Sequence, residues 1–168
     1  MTFAGPVVVR RARPADFAEI ARLTVAAYEA DGQLTTAAAY ARVLADVPGR
    51  VDQGELYVAV DAATDQVLGA VLFVLPGTPF AELSKADEAE FRTLAVAPEA
   101  QGRGVGKVLV QACVDRARAL HRSAIVISVR DFSVAAQRLY AGFGFQRWPE
   151  GDWSPLPGAL LLGLRLDL

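Results

Sequence analysis

The sequence predicts an α/β domain in which helices cover both faces of a mixed sheet. Three observations support this fold class. Two apolar segments, 56–60 and 67–75, flank a turn within 62–66 and predict an antiparallel hairpin. Residues 90–129 predict a strand, a helix and a second strand, and a right-handed unit of this kind makes its two strands parallel. Leucines alternate with Gly, Arg and Asp over 162–168, which is typical of a half-buried, antiparallel strand.

The chain begins with a predicted strand, Val7–Arg11, and a helix follows it. Asp16 and Glu19 have the spacing of a capping box, so we expect the helix to begin there. Gly32 is expected to end it. Its apolar face should comprise Phe17, Ile20, Ala21, Thr24 and Tyr28.

A second helix is predicted to begin at Thr35 or Thr36 and to stop at Pro48-Gly49. The hairpin comes next, and after it a loop that contains several acidic residues. The remaining predicted elements are a strand over 90–97, a helix over 108–120, a strand over 125–129, a helix over 134–141, a strand near Phe145 and a closing strand over 160–168. The run 125–129 is continuously apolar, as expected for a strand buried on both faces.

Composition is that of one globular domain spanning residues 1–168. Apolar residues make up 53% of the chain, and the net charge of −2 favours neither nucleic acid nor an anionic membrane as partner. The single cysteine excludes an internal disulfide and fits a reducing compartment. We see neither a run of about 18 apolar residues nor the pattern of a signal peptide, so we expect a cytoplasmic protein.

The most informative segment is Gln101–Lys107, which is rich in glycine and joins a strand to a helix. Glycines let backbone N–H groups approach a ligand, and a helix start adds unpaired N–H donors with the positive end of the helix dipole. The segment therefore predicts a cradle for a diphosphate. The alternative is a glycine-rich turn without a ligand.

Two common nucleotide-binding motifs do not fit this segment. A Walker loop would need glycine at position 101 and a hydroxyl at 108, where Gln101 and Val108 stand. The dinucleotide fingerprint would need its last glycine at 107 or 109, where Lys107 and Leu109 stand.

The segment resembles the acetyl-coenzyme A loop of the GNAT superfamily of N-acetyltransferases, Q/R-x-x-G-x-G/A, through Gln101, Gly104 and Gly106. Downstream, 135–145 is similar to the A-x-x-L-Y-x-x-x-G-F segment of the same family, with one helix and one strand between the two motifs. The resemblance is best over about 88–145. It implies a mostly antiparallel central sheet with a splayed parallel strand pair, acetyl-CoA as cosubstrate, and no metal.

The resemblance also implies which residues hold the cofactor. Backbone groups around Ala95 would bind the pantetheine arm, and an N–H near Val96 would donate to the thioester oxygen. Arg103 and Lys107 would add charge at the diphosphate, or would be exposed cations at a helix start. Ser133 stands where many family members have an Asn, and either contacts the cofactor or caps the helix that begins at 134. The full set is Leu94, Ala95, Val96, Gln101, Gly102, Arg103, Gly104, Val105, Gly106, Lys107 and Ser133.

Two catalytic residues follow from the same resemblance. Tyr140 is the candidate general acid, because a phenol with a pKa of about 10 is protonated at neutral pH and can stabilise the leaving sulfur. Its alternative role is that of a core tyrosine. Glu90 is the candidate general base, and its alternative role is an ion pair with Arg92 or another cation. Weaker candidates for the base are Glu29, Asp31 and Asp152.

The implied function is transfer of acetyl from acetyl-CoA to a primary amine by direct attack on the thioester, with a small molecule favoured as acceptor. A pocket closed by the loops near residues 30 and 150 would favour a small amine, whereas an open groove would favour a protein N-terminus or lysine. A non-catalytic acyl-CoA sensor is the third alternative. Trp148 and Trp153 would either line such a pocket or pack against the last strand. Family members often dimerise, so a homodimer is one alternative for the assembly.

Overall fold

The computed structural model describes residues 5–168, which form a sheet of seven strands in the order β1-β2-β3-β4-β5-β7-β6, packed with five α-helices. The elements are β1 (Val7–Arg11), α1 (Phe17–Ala30), α2 (Tyr40–Ala45), α3 (Val47–Val51), β2 (Glu55–Asp61), β3 (Val67–Val74), β4 (Ala89–Val96), α4 (Val105–Ala119), β5 (Ala124–Arg130), α5 (Val134–Gly142), β6 (Gln146–Arg147) and β7 (Leu161–Asp167). No helix in this part of the chain is both long and apolar enough to cross a bilayer.

The neighbouring strands β4 and β5 are parallel, and every other pair in the sheet is antiparallel. They pair at Ala89–Ile125 and Glu90–Val126, after which the ladder stops although both strands continue. The strands therefore diverge toward their carboxyl ends and leave a gap in the sheet. This confirms the predicted mostly antiparallel sheet with one splayed parallel pair.

The two faces of the sheet carry different helices. Gly69 of β3 lies under α4, since a Cβ there would be 2.7 Å from the Val105 side chain. Register pairs Gly69 with Val96, which puts Val96 on this α4 face. Glu90 and Arg92 pair with Val74 and Leu72 and so point to the opposite face. Every residue of β3 is buried, which shows that both faces are covered.

The predicted capping box at Asp16 and Glu19 was wrong. The Asp16 carboxylate accepts hydrogen bonds from the Arg13 backbone N–H at 2.7 Å and from the Arg10 guanidinium at 2.7 and 3.0 Å. Glu19 instead pairs with Arg22. The arginine competes successfully for Asp16 because a bidentate, charge-assisted bond is stronger than a bond to a neutral N–H.

The single helix predicted from Thr35 or Thr36 to Pro48 was also wrong. Helix α2 begins only at Tyr40, and α3 contains Pro48 and Gly49 in its first turn. Asp46 separates the two helices, and its side chain accepts a hydrogen bond from Gly49 N at 3.1 Å. Proline costs no hydrogen bond in a first turn, so it begins a helix here and does not end one.

The remaining predicted elements are confirmed, with small shifts at their ends. Helix α4 begins at Val105 and not at Val108, because Gly104 is its N-terminal cap residue with φ of +76°. Cys113 of this helix is fully buried in the core. The last residues of the glycine-rich segment, 105–107, therefore form the first turn of α4. Their backbone N–H groups lie at the N-terminal end of that helix.

Candidate active site

A cavity of about 260 Å³ lies at the gap between β4 and β5. Its floor comes from the two strands and one wall from α5. The opposite wall comes from two segments, one around 28–40 and one around 153–161. Glu90, Arg92, Ser128, Arg130 and Tyr140 are among the polar residues that line it. The gap in the sheet is thus part of one cavity that is partly open to solvent and carries charged groups on its surface.

Strand β4 is irregular where it borders the gap. Between the pairs Leu72–Arg92 and Ala70–Ala95 it contains one extra residue, and Thr93 has φ of +54°. A positive φ is a genuine outlier for a β-branched residue and marks a bulge that the surrounding structure enforces. The bulge re-aims the strand just before Val96.

The backbone N–H of Val96 faces the gap. Ala97 N donates to Leu68 O at 2.8 Å, so residues 68 and 97 form a hydrogen-bonded pair. The adjacent pair, Gly69–Val96, is then a non-bonded pair whose N–H and C=O groups point away from the partner strand. For Val96 that direction is toward β5, where the parallel ladder has already ended.

The glycine-rich loop presents six consecutive backbone N–H groups, those of residues 102–107. None of them has an acceptor within residues 5–168. Gly102 and Gly104 have φ of +84° and +76°, and a Cβ on either would meet open space. The donors are therefore available to an anion, and the glycines leave room for it. This geometry fits a diphosphate at the start of α4.

Tyr140 lies in α5, and its ring packs against Phe91 and Phe145 with centroids 5.8 Å from each. The hydroxyl has no partner within the described residues, and it is not among the polar atoms sealed from solvent. Burial raises the pKa of Tyr140 above its ordinary value, so the phenol stays protonated at neutral pH. The ring is part of the core while the hydroxyl remains available in the cavity.

Glu90 is buried, and its carboxylate binds backbone N–H groups of the loop before β4. It accepts hydrogen bonds from Glu82 N at 3.2 Å, Leu83 N at 3.0 Å and Ser84 N at 2.9 Å. The ion pair with Arg92 that the sequence left open was wrong, because Arg92 pairs with Glu82 at 2.8 Å. A carboxylate has about four acceptor positions, so one remains for a group in the cavity.

Ser133 occupies the N-terminal cap position of α5, but its side chain does not cap the helix. The hydroxyl instead donates to the Asp31 carboxylate at 2.5 Å, just beyond the end of α1. Gln33 donates to the same carboxylate oxygen at 2.8 Å. The expectation that the hydroxyl caps the helix was therefore wrong, and the residue ties α1 to α5 beside the cavity.

The model of the GNAT family of acetyltransferases matches residues 17–145, well over half of the chain. This chain belongs to the GNAT family. The members of this family are acetyltransferases that use acetyl-CoA.

Individual relatives agree with this assignment. The chain is 32% identical over 108 residues to a mycothiol acetyltransferase from Renibacterium salmoninarum, over 64% of this chain and 31% of that protein. It therefore spans about a third of that relative's length. Among GNAT structures, a Staphylococcus aureus acetyltransferase superposes with a TM-score of 0.74 at 12% identity, covering 96% of this chain and 99% of the other.

Two further structures have the same fold. A GCN5-related N-acetyltransferase from Kribbella flavida has a TM-score of 0.68 at 25% identity, covering 96% and 98% of the two chains. The Salmonella typhimurium protein yncA, solved with its cofactor acetyl-CoA, has a TM-score of 0.68 at 23% identity, covering 98% and 95%.

The two cations of the GNAT loop differ in their placement. The Arg103 guanidinium pairs with buried Asp61 at 2.9 Å and donates to Gly5 O at 2.9 Å. That arginine lowers the pKa of Asp61 and fastens the loop to β2. Lys107 lies exposed in the first turn of α4, with Gln101 exposed just before the loop.

The weaker base candidates have other partners or lie away from the cavity. Asp152 pairs with Arg147 at 2.8 Å and accepts from Gly163 N at 2.7 Å, and these contacts lower its pKa to about 2. A carboxyl with so low a pKa is a poor proton acceptor at neutral pH. Asp31 is bound by Ser133, and Glu29 is exposed on α1.

The two tryptophans have different environments. Trp153 lines the cavity, and its indole N–H donates to Ser128 Oγ at 3.2 Å. Trp148 stacks closely on Gly151, and its backbone N–H donates to Gly163 O. Each of the two predicted alternatives therefore applies to one tryptophan. Trp153 lines the pocket, and Trp148 packs against the last strand.

Sequence reasoning missed Arg130, the last residue of β5, whose side chain lines the GNAT cavity and is 7% exposed. The sequence shows only that a charged residue ends a continuously apolar strand, and the face that its side chain occupies follows from the strand register. Thr93 and its bulge left no signal in the sequence, because neither a glycine nor a proline marks the site.

Proposed function

We propose that this GNAT chain transfers an acetyl group from acetyl-CoA to the primary amine of a small molecule, by direct attack of the amine on the thioester. The observation that carries the proposal is the gap between β4 and β5. It joins the Val96 N–H to a cavity that contains both Tyr140 and Glu90.

The cofactor would be held by backbone groups. The N–H groups of residues 102–107 would bind the diphosphate, with Lys107 adding positive charge. The Val96 N–H would donate to the thioester oxygen, where negative charge develops as the amine adds. Arg103 would act indirectly, by holding the loop against Asp61.

Two side chains would move the protons. A C–N bond forms and the C–S bond breaks, so one proton must leave the amine and one must reach the sulfur. Glu90, directly or through a water, would accept the amine proton at its remaining acceptor position. Tyr140 would donate its phenolic proton to the departing sulfur, and its high pKa keeps that proton in place until then.

The shape of the cavity supports a small acceptor. Gln33, Ala37 and Tyr40 close it from the segment near residue 30, and Trp153 and Leu156 close it from the segment near residue 150. A protein N-terminus would need an open groove along this surface.

The test combines cofactor binding with turnover. Titration calorimetry with acetyl-CoA should give binding that Gly104→Glu abolishes, because a side chain there would fill the anion cradle. Gly32→Glu is the matched control, since Gly32 has nearly the same φ, +75°, and open space around it, but lies outside the loop. Both variants carry the same backbone strain, so equal loss of binding in the two would contradict the cradle.

Thiol release should then be followed with small primary amines and with a peptide that has a free N-terminus. Faster release with the small amines is the expected result. Preferential turnover of the peptide would favour a protein acceptor, and binding without any turnover would favour a sensor.

A further inference from the structure

The Arg130 guanidinium is a buried cation with no carboxylate partner within residues 5–168. We propose that Arg130 binds a carboxylate on the acceptor, so that the substrate class is a small amino acid with an apolar side chain. This inference rests on the proposed function, because it names the acceptor of the same cavity.

The hydrogen bonds of Arg130 are incomplete. Its guanidinium has five N–H donors. Among residues 5–168, the only acceptor for them is Thr36 Oγ1, at 3.5 Å. The Nε atom is sealed from solvent without a partner. The planar group lies over the Phe132 ring, with Cζ 4.7 Å from the centroid, which fixes its orientation. A buried charge without a counterion is costly, and an incoming carboxylate would remove that cost.

The other charged side chains that line the cavity already have partners among the described residues. Arg92 pairs with Glu82, and Glu90 accepts three backbone N–H groups. Arg130 is therefore the one lining cation whose charge is not matched within the described residues. One uncompensated positive charge fits one carboxylate better than a dianion.

Arg130 does not face the diphosphate cradle. Register pairs Glu90 with Val126, so Val126, Ser128 and Arg130 share the Glu90 face of the sheet. Helix α4 and its glycine loop pack on the opposite face, over Gly69 and Val96. The anion that Arg130 binds is thus that of the acceptor and not that of the cofactor.

The surroundings of Arg130 fit the remainder of an amino acid. Tyr28 and Tyr40, with ring centroids 6.1 Å apart, line the same cavity and offer hydroxyl groups. Burial raises the pKa of Tyr28, so its hydroxyl remains a donor. Ala136, Leu156 and Ala159 supply an apolar wall for a hydrocarbon side chain.

The test compares leucine, leucinamide and 3-methylbutylamine, which differ at the carboxylate position. Thiol release by the parent should favour leucine, and Arg130→Gln should lower kcat/KM for leucine by about 10- to 100-fold, the usual effect of losing a hydrogen bond to a charged group. The values for leucinamide and 3-methylbutylamine, which lack the carboxylate, should stay within about twofold, because neither has a group for Arg130 to bind. Arg130→Lys should recover part of the loss, and Arg92→Gln should leave the ratio of leucine to leucinamide unchanged.

A second readout does not depend on turnover. N-acetyl-leucine with CoA should raise the Tm of the parent more than N-acetyl-leucinamide does, and Arg130→Gln should remove this difference. Equal Tm shifts for the acid and the amide in the parent would overturn the carboxylate site. An equal reduction of both Tm shifts in the Arg130→Gln variant would overturn it as well. So would a preference for the phosphonate analogue of leucine. Failure of the proposed function would appear differently, as loss of acetyl-CoA binding or of turnover with every amine.

Discussion

The hydroxyl of Ser133 donates to the carboxylate of Asp31 at 2.5 Å and so joins the start of α5 to the end of α1 across the cavity wall. These residues are far apart in sequence, and the hydrogen bond between their side chains does not cap either helix. Tyr140 lies seven residues further along the same helix, so the contact ties the element that carries Tyr140 to α1.

Ser133→Ala should lower the free energy of unfolding by on the order of 1 kcal/mol, because Asp31 is partly exposed and keeps Gln33 as a donor. Urea unfolding would measure this change. Acetyl-CoA affinity should change less than about threefold. Unchanged unfolding with a tenfold weaker Kd would instead place Ser133 against the cofactor.

Tyr140→Phe should reduce kcat by about 100-fold or more, the usual range for loss of a general acid. The Tm should hardly change, since the hydroxyl has no partner within the described residues and the ring contacts with Phe91 and Phe145 are kept. Tyr140→Leu is the control that disturbs packing. A Tyr140→Phe variant with parental kcat would remove the residue from the mechanism.

Glu90→Gln should destabilise the 82–84 loop, because an amide has one oxygen to offer where the carboxylate has two. If Glu90 accepts the amine proton, kcat/KM for the amine should fall by about 100-fold or more in the variant, while binding of acetyl-CoA is kept. A variant that keeps parental kcat/KM would show that Glu90 only anchors the loop.

Asp152 gives a pH dependence of stability whose sign can be worked out. Its pKa is lowered from 3.8 to about 2 in the folded chain by Arg147 and by Gly163 N–H. A lowered carboxyl pKa stabilises the fold above the unfolded pKa, and this stability is lost as the pH falls from about 4 toward 2. The difference in unfolding free energy between the parent and Asp152→Asn should therefore shrink over that range. A difference independent of pH would contradict the assignment.

The sequence predicted most reliably the features that depend on local motifs or on repeated patterns of apolar residues. Alternation and apolar runs located the strands, and the order strand, glycine loop, helix, strand predicted the parallel pair and the free N–H groups. The two errors at helix boundaries have a common cause, which is short-range side-chain contacts that residue spacing alone does not reveal. Arg10 binds Asp16 in place of the expected cap, and Asp46 restarts the chain as α3 where a proline suggested an end.

The candidate site was predictable in its backbone and not in its side-chain partners. Motif spacing located Tyr140, which lies on a helix, and the glycine loop, which leads directly into one. Glu90 could not be paired from the sequence, since its donors are N–H groups of an irregular loop. Arg130 could be assigned to the cavity only from the strand register, which places its side chain on the same face of the sheet as Glu90.

The divergence of β4 from β5 has a consequence for the order of events. In the proposed reaction the thioester comes from the α4 face and the amine from the face of Glu90, so the acetyl group crosses the sheet through the opening between two strands. Each product can then depart on the side where its parent substrate entered, and neither blocks the other's exit. Initial rates measured against both substrates should therefore give intersecting lines, the signature of a ternary complex, and product inhibition should show no obligatory order of release.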